Sequence, residues 1–105
     1  MDKRLVFAVL GAVSLCAPSA ARCGVIAETV GVRLDSSLDD AFLIFSSEVN
    51  SADACAKLAE NRTKAHNLRS STTSCSWAMD GQLAFVVECV GTTSTRPTSC
   101  RILGR

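Results

Sequence analysis

A short apolar run near the N-terminus determines how every cysteine of this 105-residue chain has to be interpreted. Lys3 and Arg4 precede an uncharged, mostly apolar stretch over residues 5–17, and small residues follow as far as Ala21. A charged start, a short apolar core and a small-residue exit are the three parts of a secretory signal peptide. We therefore predict that residues 1–21 are cleaved and that the remaining chain is secreted or periplasmic.

The apolar run is too short to favour a membrane anchor. A membrane-spanning helix needs about 20 apolar residues, and no second long apolar segment follows, so the sequence predicts no membrane span in the mature chain. A lipid-anchored start is an alternative, with Cys16 or Cys23 as the modified residue, and a tether through Cys23 would make the protein an envelope structural component or lipoprotein. Bacterial lipoprotein signals usually carry Gly, Ala or Ser before the modified cysteine, whereas Leu15 precedes Cys16 and Arg22 precedes Cys23 here.

The residues after this leader, 22–105, are enough for one small domain. They carry as many acidic as basic side chains, so the charge balance indicates neither a nucleic-acid partner nor an anionic membrane. A core of this size is marginal, which favours covalent cross-links as a source of stability. We predict a single disulfide-stabilised domain over this range.

Five cysteines remain once Cys16 is removed with the leader. They are Cys23, Cys55, Cys75, Cys89 and Cys100. In a small exported domain, scattered cysteines are interpreted first as disulfides. Because their number is odd, at least one is free, joined to another chain or modified. Metal binding is the competing interpretation, but the chain has no Cys-x-x-Cys pair and a single histidine, so we expect no metal site.

The apolar pattern predicts five strands and one helix. The strands are expected over residues 25–34, 41–47, 73–78, 83–91 and 99–103, and the helix over residues 52–68. In the first strand one side carries Ile26, Val30, Val32 and Leu34. The second strand is a nearly continuous apolar run, which suits a strand buried on both faces. Residues 70–74 are expected to form a polar connection that leads into the third strand.

The helix is expected to begin at Asn50 or Ser51, because either side chain can accept a hydrogen bond from a free backbone N–H. Its inner face is predicted from helical spacing to comprise Cys55, Leu58, Ala59, Arg62 and Ala65. Such a narrow face of small residues predicts that the helix lies close to a sheet and presents Cys55 to it.

Asp80-Gly81 predicts a hairpin turn between the third and fourth strands. A two-residue turn would place Cys75 and Trp77 on the face away from Phe85. A three-residue loop with Gly81 in the left-handed conformation unites the large apolar groups instead, and we adopt this register. Its expected pairs are Cys75–Phe85, Thr73–Val87 and Trp77–Leu83.

Together these elements predict a two-layer α+β domain, in which one amphipathic helix packs on a mainly antiparallel sheet of four or five strands. The helix would bring Cys55 to Cys75, and a second disulfide would close the loop that Cys89 and Cys100 flank. We therefore favour Cys55–Cys75 and Cys89–Cys100, with Cys23 as a free or tethering thiol. The rival pairing is Cys55–Cys89 with Cys75–Cys100.

The sequence contains no recognisable catalytic set. His66 lies late in the predicted helix, where a positive side chain is favourable at the negative helix end. All glycines are isolated, so no phosphate-binding loop and no cofactor are expected. We predict a non-enzymatic binding or inhibitory protein with an unidentified protein partner. The alternatives are a thiol-dependent enzyme that uses Cys23 and His66, the envelope component mentioned above, and a dimer joined through Cys23.

Overall fold

A computed structural model describes residues 24–35 and 42–104. Within these residues the chain forms one helix and one antiparallel sheet of five strands. The elements are β1 (Val25–Arg33), β2 (Phe42–Val49), α1 (Ala52–Ala65), β3 (Leu68–Trp77), β4 (Leu83–Val90) and β5 (Ser99–Leu103). Their order across the sheet is β2-β1-β3-β4-β5. The predicted α+β architecture is confirmed.

Several sequence predictions lie outside the described residues. These include the signal peptide over residues 1–21 and every role assigned to Cys23. Within residues 24–35 and 42–104, no helix is long and apolar enough to cross a membrane. Export and tethering through Cys23 therefore stay predictions.

The helix begins where the sequence indicates but ends earlier. The Ser51 side chain accepts a hydrogen bond from the backbone N–H of Ala54 at 3.1 Å, which caps the first turn. The helix ends at Ala65, and Asn67 takes a left-handed conformation with φ of 53° that turns the chain directly into β3. The expected polar connection over residues 70–74 is wrong, because this segment is part of β3.

Buried hydroxyl pairs explain why a segment rich in serine and threonine forms the central strand. Thr73 Oγ1 lies 2.8 Å from Thr29 Oγ1 on β1. Ser71 Oγ lies 2.7 Å from Thr63 Oγ1 on α1. Burial of a hydroxyl is costly only when it has no hydrogen-bond partner, and no buried side-chain nitrogen or oxygen in the described ranges lacks one.

The helix covers one face of the sheet and creates the core there. The buried apolar residues of this layer are Val25, Ala27, Cys55, Ala59, Cys75, Phe85, Val87 and Cys89. Of the inner helix face expected from the sequence, all members but one are buried or pack against this core. Ala65 is the exception, since it is exposed, and Thr63 is buried although it was not expected to be.

Two of the three expected pairs between β3 and β4 are present, namely Cys75–Phe85 and Thr73–Val87. Gly81 has a positive φ of 73°, as the turn requires. The third pair is wrong, because Trp77 pairs with Gln82 and the hairpin loop is one residue longer than expected. An irregularity in the register then places Leu83 opposite Ser76, so that Leu83 lies on the uncovered face and is exposed.

The second strand is an edge strand, which contradicts the prediction of burial on both faces. Phe42 and Ile44 are 63% and 70% exposed. Both side chains point away from the helix, to the face of the sheet that nothing among the described residues covers. On β1, Ile26, Val30 and Val32 do share one side, but it is the uncovered side of the sheet.

Two disulfides join the elements, namely Cys55–Cys75 between α1 and β3 and Cys89–Cys100 between β4 and β5. This is the pairing favoured from the sequence. Cys55 and Cys75 are both 0% exposed, whereas the second disulfide has a buried Cys89 and an exposed Cys100. Two disulfides in a small domain fit an oxidising compartment.

We expect the two disulfides to be reduced in a fixed order. Thiol–disulfide exchange requires access of the attacking thiolate to a sulfur atom. A limiting reductant should therefore open Cys89–Cys100 first, and Cys55–Cys75 only as the domain unfolds. Pulsed alkylation followed by peptide mass spectrometry measures this order, and earlier alkylation of Cys55 or Cys75 would contradict it.

Candidate functional site

The uncovered face of the sheet carries a continuous apolar cluster on β1 and β2. We name it the edge patch, and it consists of Val30, Val32, Phe42 and Ile44. Val30 lies directly opposite Ile44, and Val32 lies directly opposite Phe42. Directly opposed residues of an antiparallel pair point to the same face, with Cβ atoms about 5 Å apart. The four side chains therefore form one surface, of which Val32 is the least exposed member.

Polar side chains border the edge patch. Glu28 precedes Val30 on the same face of β1, and Glu48 lies on that face of β2. Neither glutamate has an ion-pair partner within residues 24–35 and 42–104. On the same uncovered face, towards the centre of the sheet, β3 contributes hydroxyl groups such as that of Thr72, which lies opposite Val30. An apolar centre with a polar rim is the composition of a protein contact surface.

On the opposite face, a buried arginine ties β2 to the helix. The Arg62 guanidinium donates hydrogen bonds at 2.7 Å to Thr29 Oγ1 and at 2.7 Å to Ser47 Oγ. It also donates at 3.3 Å to the carbonyl oxygen of Ala27 and at 3.4 Å to that of Phe45. These acceptors are all neutral. Burial lowers the pKa of Arg62 below its ordinary value, because desolvation disfavours the charged form.

Phe45 contacts two side chains, those of Arg62 on the helix and of His66 at its C-cap. The guanidinium carbon of Arg62 lies 5.6 Å from the centre of the Phe45 ring, and the His66 ring stacks on it with centroids 4.4 Å apart. Stacking and cation–π contacts of this kind each contribute modestly to stability. The cluster therefore fixes the backbone of β2, whose other face carries half of the edge patch.

The structure adds no residue to the alternative of a thiol-dependent enzyme that uses Cys23 and His66. The structure describes His66 but not Cys23, so a pair formed by these two stays a prediction. The four cysteines that the structure describes are all disulfide-bonded. No group of His, Cys, Asp or Glu side chains in the described part of the chain is arranged to hold a metal ion.

A concavity of about 170 Å³ lies at the far edge of the sheet, between β4 and β5. It is lined by Glu88, Val90, Ser99, Cys100 and Arg101. Arg101 Nη2 and Glu88 Oε1 are 3.2 Å apart, so the two charged groups lining it already pair with each other.

Comparison with protein-family models, curated proteins and solved structures finds no match for this chain. The observations that bear on function are therefore those of the molecule itself. They define a disulfide-stabilised α+β domain with an exposed edge patch. The disulfide cysteines could be predicted from the sequence, whereas the edge patch was not, although the apolar run of β2 is a sequence signal for it.

Proposed function

We propose that this protein is a small exported binding protein that recognises a protein partner through the edge patch. The observation that carries the proposal is the exposure of Phe42 and Ile44, at 63% and 70%, beside the aligned Val30 and Val32. Single exposed apolar residues are common, but contiguous ones mark interaction sites.

The border of the edge patch supports a particular kind of partner. Glu28 and Glu48 place two carboxylates on the same face of the sheet as the apolar side chains. Charges at the rim of an interface steer association and exclude partners of like charge. The partner that fits is a protein with an apolar surface bordered by lysine or arginine. Inhibition would follow if that partner is an enzyme whose active site lies beside this surface.

The hydrogen bonds on the opposite face of the sheet, beneath the edge patch, also support a role in binding. The hydrogen bonds of Arg62 to Thr29 and Ser47 hold β1 and β2 against the helix from the opposite face. A surface that is already ordered loses little conformational entropy on association, which leaves more of the contact energy as affinity.

We expect the double substitution F42S/I44S to abolish capture of the partner. Burial of a Phe or Ile side chain contributes about 1.5–3 kcal/mol, so affinity should fall by at least about a hundredfold. The measurement compares the proteins retained by the immobilised wild-type chain and by the variant from the exported fraction of producing cells. Binding constants are then measured with the purified partner.

Met79→Ser is the matched control, because Met79 is a large apolar residue, 53% exposed, that lies in the hairpin loop away from the edge patch. This variant should retain the partner. Added salt should slow association without changing which protein is captured. Equal retention by F42S/I44S and the wild type, or recovery of the chain without any partner, would contradict the proposed function.

A further inference from the structure

We infer that β2 pairs with the β2 strand of a second copy of this chain, so that two five-stranded sheets join into one. This inference goes beyond the proposed function, because it concerns the backbone edge of β2 rather than the apolar face beside it. An edge strand presents a row of unpaired N–H and C=O groups that can hydrogen-bond to another strand.

The two edges of the sheet differ in their protection. Edges are commonly blocked by short length, proline, lysine or a bulge. The β5 edge has five residues, follows Pro97, carries Arg101 and is tied down by the Cys89–Cys100 disulfide. The β2 edge has eight residues, contains no proline or lysine, and pairs with β1 without any break in register. The unprotected edge is thus the one that adjoins the edge patch.

The charges of β2 make the strand compatible with a copy of itself. Adjacent antiparallel strands are related by a two-fold axis perpendicular to the sheet, so the helices of both copies lie on the same side. If the axis passes through Ile44, Leu43 of each strand lies opposite Phe45 of the other and the two Ile44 residues face each other, so the apolar halves of the strands meet. Glu48 is the only charged side chain of β2. With a rise of about 3.3 Å per residue, the two Glu48 positions are at least roughly 20 Å apart, beyond the screening length of about 8 Å.

This pairing would join the two edge patches into one surface. Ile44 lies on the uncovered face at the outer strand of each sheet, and nothing among the described residues separates it from the edge. The helix leaves this edge accessible, because it packs mainly on β1, β3 and β4. A strand edge alone buries less surface than a standard stable interface, so we expect dissociation in the micromolar range.

The test measures the mass of the purified chain by light scattering over a range of concentrations, together with amide hydrogen exchange. The mass should rise to twice that of the monomer. Protection should increase with concentration in β2, while the amides of β5 stay unchanged. A non-reducing denaturing gel and the variant C23S separate strand pairing from a disulfide through Cys23.

The variant I44K should raise the dissociation constant at least about tenfold, because it places two like charges near the two-fold axis. L83K is the matched control. Leu83 is also exposed on the uncovered face, but it lies in β4 inside the sheet, so this variant should leave the dimer unchanged.

Three results obtained with the purified chain alone would overturn the inference. They are a monomer at all concentrations, a dimer that I44K does not weaken, and a dimer that survives denaturant until reduced and is lost in C23S. Protection of β2 only when a different protein is added would also overturn it, since the edge would then accept a foreign strand. A monomer that still captures a partner through the edge patch would leave the proposed function standing. A dimer that captures no partner would support the inference and contradict the proposed function.

Discussion

Replacement of both Cys55 and Cys75 by alanine is expected to lower the free energy of unfolding by about 4 kcal/mol. The disulfide closes a loop of 20 positions, and loss of that constraint on the unfolded chain is worth about 3 kcal/mol. Both side chains are 0% exposed, so truncation also leaves a small cavity, at a cost of about 1 kcal/mol. A domain of this size has a total stability of about 5–10 kcal/mol.

Urea and thermal unfolding of this double variant measure the effect, with a midpoint temperature lower by roughly 20 °C. The matched control replaces both Cys89 and Cys100, whose loop spans 11 positions and whose second cysteine is exposed. That variant should lose about 3 kcal/mol or less. A larger loss on removing Cys89–Cys100 than on removing Cys55–Cys75 would contradict this assignment of the stability to the core disulfide.

The second largest effect is expected at Arg62. Arg62→Ala should lower the free energy of unfolding by about 3 kcal/mol, because it removes the hydrogen bonds to Thr29 and Ser47 as well as the packing of the buried stem. Arg62→Met keeps most of the stem and buries no charge, so its cost should be only about 1 kcal/mol. Thr29 still has Thr73 as a hydrogen-bond partner in either variant.

Lys64→Ala is the control for a basic residue on the same helix. Lys64 pairs with Glu60 at 3.0 Å, but both side chains are about half exposed, and such pairs contribute less than about 1 kcal/mol. Chemical unfolding of the three variants gives the comparison. If Arg62→Ala costs no more than Lys64→Ala, the buried guanidinium does not hold β2 in place.

The pKa of Arg62 sets the pH dependence of this contribution. The folded-state pKa of this base is lowered by burial, so carrying the charge opposes folding at every pH below that pKa. The penalty is relieved only as the pH rises through the folded pKa, which is far above neutrality for a guanidinium. The stability difference between wild type and Arg62→Met should therefore be constant across the neutral range.

The parts of the fold that follow from local signals could be predicted from the sequence. The Ser51 hydroxyl caps α1 by accepting a hydrogen bond from the N–H of Ala54, only three residues along the chain. This interaction depends on the local sequence alone. The pairing of Cys55 with Cys75 follows from helical spacing and from the hairpin register. The predicted face of Leu83 is wrong because the hairpin loop has one more residue than expected. A shift of one position in register moves a side chain to the other face of a strand.

The parts that depend on distant neighbours could not be predicted. An apolar run such as 42–45 has the same pattern in a strand covered on both faces and in a strand covered on one, and only the layers packed on the sheet decide between them. Ser71 likewise looks like a linker residue until Thr63 is known to be its hydroxyl partner. The edge patch could therefore not be predicted as a site, although its residues were predicted to lie in two strands.

The buried hydroxyl pairs have a consequence for how the chain is oxidised. Thr29–Thr73 positions β3 against β1, and Thr63–Ser71 positions it against the helix, without any covalent bond. Cys75 lies two residues beyond Thr73 on the same face of the strand. A reduced chain that has formed these polar contacts already presents Cys75 to Cys55, and a slip of the strand by two residues would break both contacts. We therefore expect these neutral hydroxyl groups to favour the native cysteine partner before the disulfide forms.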